Sequence, residues 1–178
     1  MRYRRAFVPG GSFFFTVVTD GRRPLLASPE TVDVLRNAFR AVREKHYFDV
    51  DAIVVLPDHL HCVWTLPPDD ADFATRWQLI KTWFTKHCDP ELRSAPNRTR
   101  VADRGSAIWQ KRFWEHLLRD EEDFTQHLEY IHYNPVKHGY ATSPIDGPYS
   151  SFRRYVEAGT YPADWGRSEM KFEGVGRE

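Results

Sequence analysis

The order of patterned segments predicts an α+β fold. It is of the ferredoxin-like kind, an antiparallel sheet with helices on one face, plus an added C-terminal helix. Three observations predict it. Runs rich in aromatic and β-branched residues alternate with helical-period runs in the order βαββαβ. The second and third β-like runs are separated only by Pro57-Asp58, the short break of an antiparallel hairpin. A last helical stretch follows the final strand signal.

Each element has a local reason. Ser12-Phe13-Phe14-Phe15-Thr16-Val17-Val18-Thr19 reads as a strand, with Gly10-Gly11 before it and Asp20-Gly21 after it. Ser28 is an N-cap candidate and Pro29 suits the first helical position. Val32, Leu35, Phe39 and Val42 carry the helical period to about Lys45. Tyr47 to Leu56 and His59 to Leu66 read as the hairpin strands. Phe73 to His87 is the second helix, with Trp77, Ile80 and Phe84 on one face. Residues 89–105 hold Pro90, Pro96 and Asn97 and read as a loop. Ala107-Ile108-Trp109-Gln110 is the predicted fourth strand, and Glu121 to Lys137 the third helix, ending near Gly139. A short helix is expected between Tyr149 and Ala158. Residues 1–158 are expected to form one domain, and 159–178 a flexible C-terminal tail.

Composition narrows the class. The chain has 178 residues, enough for one domain with a sizeable core, and no internal repeat. Formal net charge is zero, which argues against a uniformly basic nucleic-acid binder but allows a basic face. Basic residues cluster at Arg4 and Arg5, at Lys111 and Arg112, and at Arg153 and Arg154; acidic ones gather elsewhere, as in Asp120-Glu121-Glu122-Asp123. Two cysteines make neither a disulfide framework nor a Cys-rich zinc site, so a reducing, cytoplasmic setting is expected. Met1-Arg2-Tyr3-Arg4-Arg5 has no apolar run behind it, and no apolar stretch is long enough to cross a bilayer.

The chemistry starts at Asp58-His59-Leu60-His61-Cys62. On a strand, residues two apart share a face, so His59 and His61 project side by side while Leu60 points to the other layer. Two adjacent imidazoles are half of a divalent-metal site; they are also common as hydrogen-bonded strand histidines. Tyr130 and Asn134 lie four apart on the third predicted helix and share one face. A phenol and a hard amide oxygen can thus meet one Mg²⁺ or Mn²⁺ centre. The bland alternative makes Tyr130 a core residue and Asn134 the helix end before Pro135. Tyr133 is the rival nucleophile, but lies about 100° from Asn134 around the helix. Lys137 can contact phosphate or simply suit the helix C-terminus. Trp109-Gln110-Lys111-Arg112-Phe113-Trp114-Glu115-His116 interleaves aromatic, amide and basic groups, so Trp109, Lys111 and Arg112 are candidate DNA contacts. Arg4, Arg5, Arg153 and Arg154 are candidate phosphate contacts.

Taken together, His59-Leu60-His61, the segment Tyr130-Ile131-His132-Tyr133-Asn134-Pro135-Val136-Lys137-His138-Gly139, and the Trp109–His116 stretch resemble the single-tyrosine HUH transposases. The similarity is to the REP-associated tyrosine transposases in particular, and runs from about Tyr3 to about Tyr155. The resemblance implies an HUH fold and cleavage of single-stranded DNA near a hairpin with Mg²⁺ or Mn²⁺. It implies a covalent 5′-phosphotyrosine on Tyr130, and metal ligands at His59, His61 and Asn134. Related insertion-sequence transposases carry Gln at that last position. It further implies bacterial, nucleoid-associated work; a monomer and a homodimer both fit a chain of this size and charge. A hairpin-binding protein without catalysis, and a metal hydrolase that uses water, are the alternative functions.

Overall fold

The computed structural model describes residues 7–93, 108–172 and 174–176. Strands β1 (Ser12–Val18), β2 (Asp49–Val55), β3 (His59–Thr65) and β4 (Trp114–Leu117) form one antiparallel sheet in the order β2-β3-β1-β4. Helices α1 (Pro29–Lys45) and α2 (Phe73–His87) connect them as the βαββαβ pattern requires. Helix α3 (Glu121–Lys137) follows β4, and the short α4 (Phe152–Glu157) comes last.

Alternation along the central strands builds two layers. Phe13, Phe15 and Val17 of β1 join Leu60, Cys62 and Trp64 of β3 in one apolar cluster with α1 and α2. Phe14 and Val63 point the other way, toward α3. The first layer is aromatic and dense: Trp64 stacks on Trp77 at 4.3 Å and lies 4.1 Å from Phe48. The predicted cap at Ser28 holds, and α2 has a cap as well. Ser28 Oγ accepts from Thr31 N at 3.3 Å with Pro29 at the first position of α1, and Asp72 accepts from Thr75 N at 2.9 Å to start α2.

The second layer is α3, which packs against β2 and β3. Asp120 starts it by accepting from Asp123 N at 2.8 Å. Pro135 sits in its last turn, where losing one N–H costs little. Gly139 then takes φ 72°, the left-handed region, and ends the helix. Beyond it, residues 149–151 run along the outer edge of β2: Val55 N donates to Tyr149 O and Ser151 N to Ile53 O, both at 2.9 Å. This covers an edge strand that would otherwise offer unpaired backbone groups. Farther on, Phe172 lies 5.7 Å from both Tyr130 and Tyr133, and Val175 is buried in the α3 cluster.

One predicted element moves. The fourth strand is Trp114–Leu117 rather than Ala107–Gln110. Trp109 forms only an isolated bridge to Thr19, and residues 110–113 bulge before pairing with β1 resumes at Thr16 and Trp114. The bulge lets Phe113 pack at the Phe15–Trp77 layer while Lys111 and Arg112 stay exposed. Arg4 and Arg5 lie outside the described residues.

Candidate active site

The hairpin delivers the two histidines to the α3 face. Each is buried, at 1% exposure for His59 and 0% for His61, and their ring centroids are 4.9 Å apart. Register then supplies each ring with an orienting partner. β1 pairs Thr16 opposite His61, and Thr16 Oγ1 hydrogen-bonds His61 Nδ1 at 2.9 Å. Asp58 Oδ1 accepts from His59 Nδ1 at 2.6 Å, which fixes the orientation of the ring and turns Nε2 away from the carboxylate. Asp58 is held in turn by Arg22, whose Nη1 donates to Oδ2 at 3.1 Å. Burial pushes the Asp58 carboxyl up, but the His59 and Arg22 interactions outweigh it and its pKa lies below the ordinary carboxylate value.

Helix α3 brings the other side. Its residues Tyr130 and Asn134 are spaced by four and share one stripe, which the C-cap residue His138 extends by four more. The Tyr130 ring lies 5.3 Å from His61, and the His138 ring 5.2 Å from His59. Asn134 sits between these two contacts, one turn from each. It is fully buried, and neither its Oδ1 nor its Nδ2 has a hydrogen-bond partner among the described residues. A buried amide with nothing to bond costs ~1–3 kcal/mol, so a ligand there would satisfy a group the fold leaves wanting. Lys137 reaches back two turns: Nζ donates to the Tyr130 hydroxyl at 3.1 Å and stands 4.8 Å over its ring.

The rival tyrosine is placed elsewhere. Tyr133 is buried against Phe172, and its hydroxyl accepts from Met170 N at 3.4 Å. His132 serves the fold: Nε2 bonds Ser151 Oγ at 2.9 Å, and burial pulls its pKa down to about 3.

No protein-family model matches the chain. Two curated relatives match nearly all of it. An Escherichia coli K12 protein named REP-associated tyrosine transposase is 43% identical over 163 residues, covering 92% of this chain and 89% of its own. A Haemophilus influenzae protein, named to the same group, is 44% identical over 173 residues and 97% of each chain. The chain belongs to the REP-associated tyrosine transposases. A solved REP-associated tyrosine transposase bound to a REP hairpin superposes with a TM-score of 0.81 at 40% identity, covering 100% of this chain and 98% of that one.

The remaining sequence-predicted DNA contacts in this REP-associated tyrosine transposase are scattered. Trp109 is 9% exposed and packs on Phe84 at 5.1 Å, so its ring belongs to the core instead of offering a base-stacking surface. Lys111 and Arg112 are exposed on the bulge before β4. Arg153 donates to Ile145 O at 3.2 Å, and Arg154 to Val50 O at 3.2 Å and to Asp51 O. Both arginines therefore brace the α4 region.

Sequence reasoning missed three participants. His138, which the sequence reads as an exposed or capping residue, is the C-cap of α3 and also continues the Tyr130–Asn134 spacing toward His59. Thr16 needed the β1–β3 register. The third, Gly176, needed the tertiary path of the C-terminal residues: it has φ 72°, and a Cβ there would collide with the Tyr130 ring and hydroxyl.

Proposed function

We propose that this chain nicks and rejoins single-stranded DNA beside REP-type hairpins through a covalent 5′-phosphotyrosine on Tyr130. The observation that carries the reading is the convergence of one helix stripe, Tyr130-Asn134-His138, on the His59–His61 pair. The family supplies the substrate class, since a relative of the same fold is bound to a REP hairpin.

His59, His61 and Asn134 are the residues that would hold Mg²⁺ or Mn²⁺: the buried, unpartnered amide supplies the hard oxygen such an ion takes, and the two imidazoles favour Mn²⁺ of the pair. When bound, the ion would polarise a phosphate oxygen and offset the charge that develops on it. The chain's own residues do the rest. Tyr130 gives its phenolic proton to solvent and its oxygen attacks phosphorus. The P–O3′ bond breaks, and the departing 3′ oxygen takes a proton. The Lys137 ammonium, already on the Tyr130 hydroxyl, stabilises the phenolate. Asp58 and Thr16 keep the imidazoles oriented. Attack by a 3′-OH on the same phosphotyrosine reverses the step and rejoins the strand. Because Gly176 lies against the Tyr130 ring, DNA reaches that hydroxyl only when residues 174–176 move aside.

The test uses labelled single-stranded hairpin DNA from the gene's own flanks with Mn²⁺ or Mg²⁺, resolved on denaturing gels. The wild type and Tyr133→Phe are expected to form a protein–DNA adduct that EDTA abolishes, and Tyr130→Phe to form none. Cleavage without an adduct would instead mean that water is the nucleophile. Binding without cleavage would mean a hairpin-binding module.

A further inference from the structure

A second cluster of ligand-type side chains stands apart from the His pair. We propose that His116, Asp123 and His127 form a further divalent-cation site, suited to a Zn²⁺-class ion, that clamps edge strand β4 to the first turns of α3. This inference does not rest on the reading of the His59–His61 site.

Geometry carries it. The three residues offer ligand atoms within 4.8 Å of one another, the one such group among the described residues. His116 comes from β4, while Asp123 and His127 are one turn apart on α3. His116 Nε2 is 2.9 and 3.1 Å from the two Asp123 carboxylate oxygens, and His127 Nδ1, which donates to the Asp123 backbone O at 2.8 Å, is 3.1 Å from Oδ1. The two imidazole rings stack at 4.8 Å, 20° from parallel. Asp123 and His127 are buried, at 9% and 3% exposure, whereas the His116 side chain is 27% exposed. An ion can therefore enter from the His116 side and keep a solvent ligand there.

The donor set decides the class of ion. Two imidazoles and one carboxylate with an open fourth position are a tetrahedral arrangement, and imidazole nitrogen favours Zn²⁺ over Mg²⁺ or Ca²⁺. Outer contacts are in place as well: Arg119 N and Nε both donate to Asp123 Oδ2, at 3.1 and 3.2 Å, and orient the carboxylate. Without an ion, hydrogen bonds hold the same groups together. On binding through Nε2, the proton between His116 and Asp123 is displaced from that nitrogen, and the imidazole keeps one ring proton, on Nδ1.

The position gives the clamp a consequence. The Phe14 ring lies 4.8 Å from His127, 5.4 Å from His61 and 6.0 Å from Tyr130. The proposed ion is thus one aromatic ring away from the nucleophile helix's contact with the His pair. It would fix the entry of α3 relative to the sheet.

The experiment measures Zn²⁺ stoichiometry by elemental analysis after dialysis, on tag-free full-length chain carrying H59A and H61A. One equivalent is expected, together with a Tm rise of about 5–10 °C at a hundredfold excess of Zn²⁺ over its Kd. Adding H116A, at the partly exposed ligand, is expected to remove both. No bound Zn²⁺ in the H59A/H61A chain, or an equivalent that survives H116A with D123N, overturns the site. Should H59A/H61A not fold, the wild type is compared with H116A alone. Loss of one equivalent supports the site, and unchanged stoichiometry overturns it.

Discussion

The two faces of the sheet are built from the same strands and differ in kind. Toward α1 and α2, every second residue of β1 and β3 is apolar, and the layer closes on stacked aromatics such as Trp64, Trp77 and Phe48. Toward α3, the alternate residues include Thr16, His59 and His61, met by Asn134 and Tyr130 from the helix. The first face buries apolar side chains together with the indole nitrogens of Trp64 and Trp77. The second buries Asn134, whose amide has no hydrogen-bond partner among the described residues. Stability and chemistry are thus divided by the period-2 geometry of a strand, with one layer supporting the cost of the other.

Substitutions on the two faces should therefore diverge. The largest effect is expected for Trp64→Ala: a fully buried indole leaves a cavity costing ~3–5 kcal/mol, a fall in Tm on the order of 10 °C or more. Tyr130→Phe, across the sheet, should shift Tm by no more than a few degrees while abolishing the adduct. Thermal melts of both variants check the contrast, which collapses if Tyr130→Phe is as damaging as Trp64→Ala.

The pH dependence of Lys81, at the α2 edge of the apolar layer, sharpens the comparison. Burial lowers its pKa from 10.5 to about 8, although Nζ donates to Gln110 O at 2.9 Å. Between those values the unfolded chain holds the proton that the folded chain has lost. Stability relative to Lys81→Met should then rise by about 1.4 kcal/mol per pH unit from pH 8 to 10.5, and stay flat below pH 8. Urea unfolding at several pH values reads this directly; a flat difference up to pH 10.5 would contradict it.

Asn134→Leu tests the polar layer from the other side. An amide without a partner is replaced by an apolar side chain of similar volume. In metal-free buffer the variant should gain about 1 kcal/mol, while losing Mn²⁺-dependent adduct formation. A loss of stability would mean that the fold itself uses the amide.

The smallest effect is expected at Gly176, where a side chain cannot coexist with the Tyr130 ring. Gly176→Val should leave Tm nearly unchanged and raise the reactivity of Tyr130 toward a phenol-modifying reagent, read by mass spectrometry. Unaltered reactivity would show that the ring is shielded by α3 and β3 instead.

The sequence by itself determined the layer order and most of the elements. Hydrophobic period marked β1, the β2–β3 hairpin and helices α1 and α2, and Ser28 acts as the cap read for α1. It also placed His59 beside His61, and Tyr130 in line with Asn134, because those relations follow from the fixed geometry of a single strand and a single helix. It missed what depends on how elements meet. The fourth strand was read at Trp109 because the bulge at 110–113 is set by packing Phe113 under β1 rather than by any local pattern. The docking of α3 across β2 and β3, the pairing of Thr16 with His61, the return of Gly176 to Tyr130 and the meeting of His116 with Asp123 and His127 were all decided by the tertiary structure. Each joins residues on different elements or distant segments, and only burial of the two sheet faces fixes where those meet.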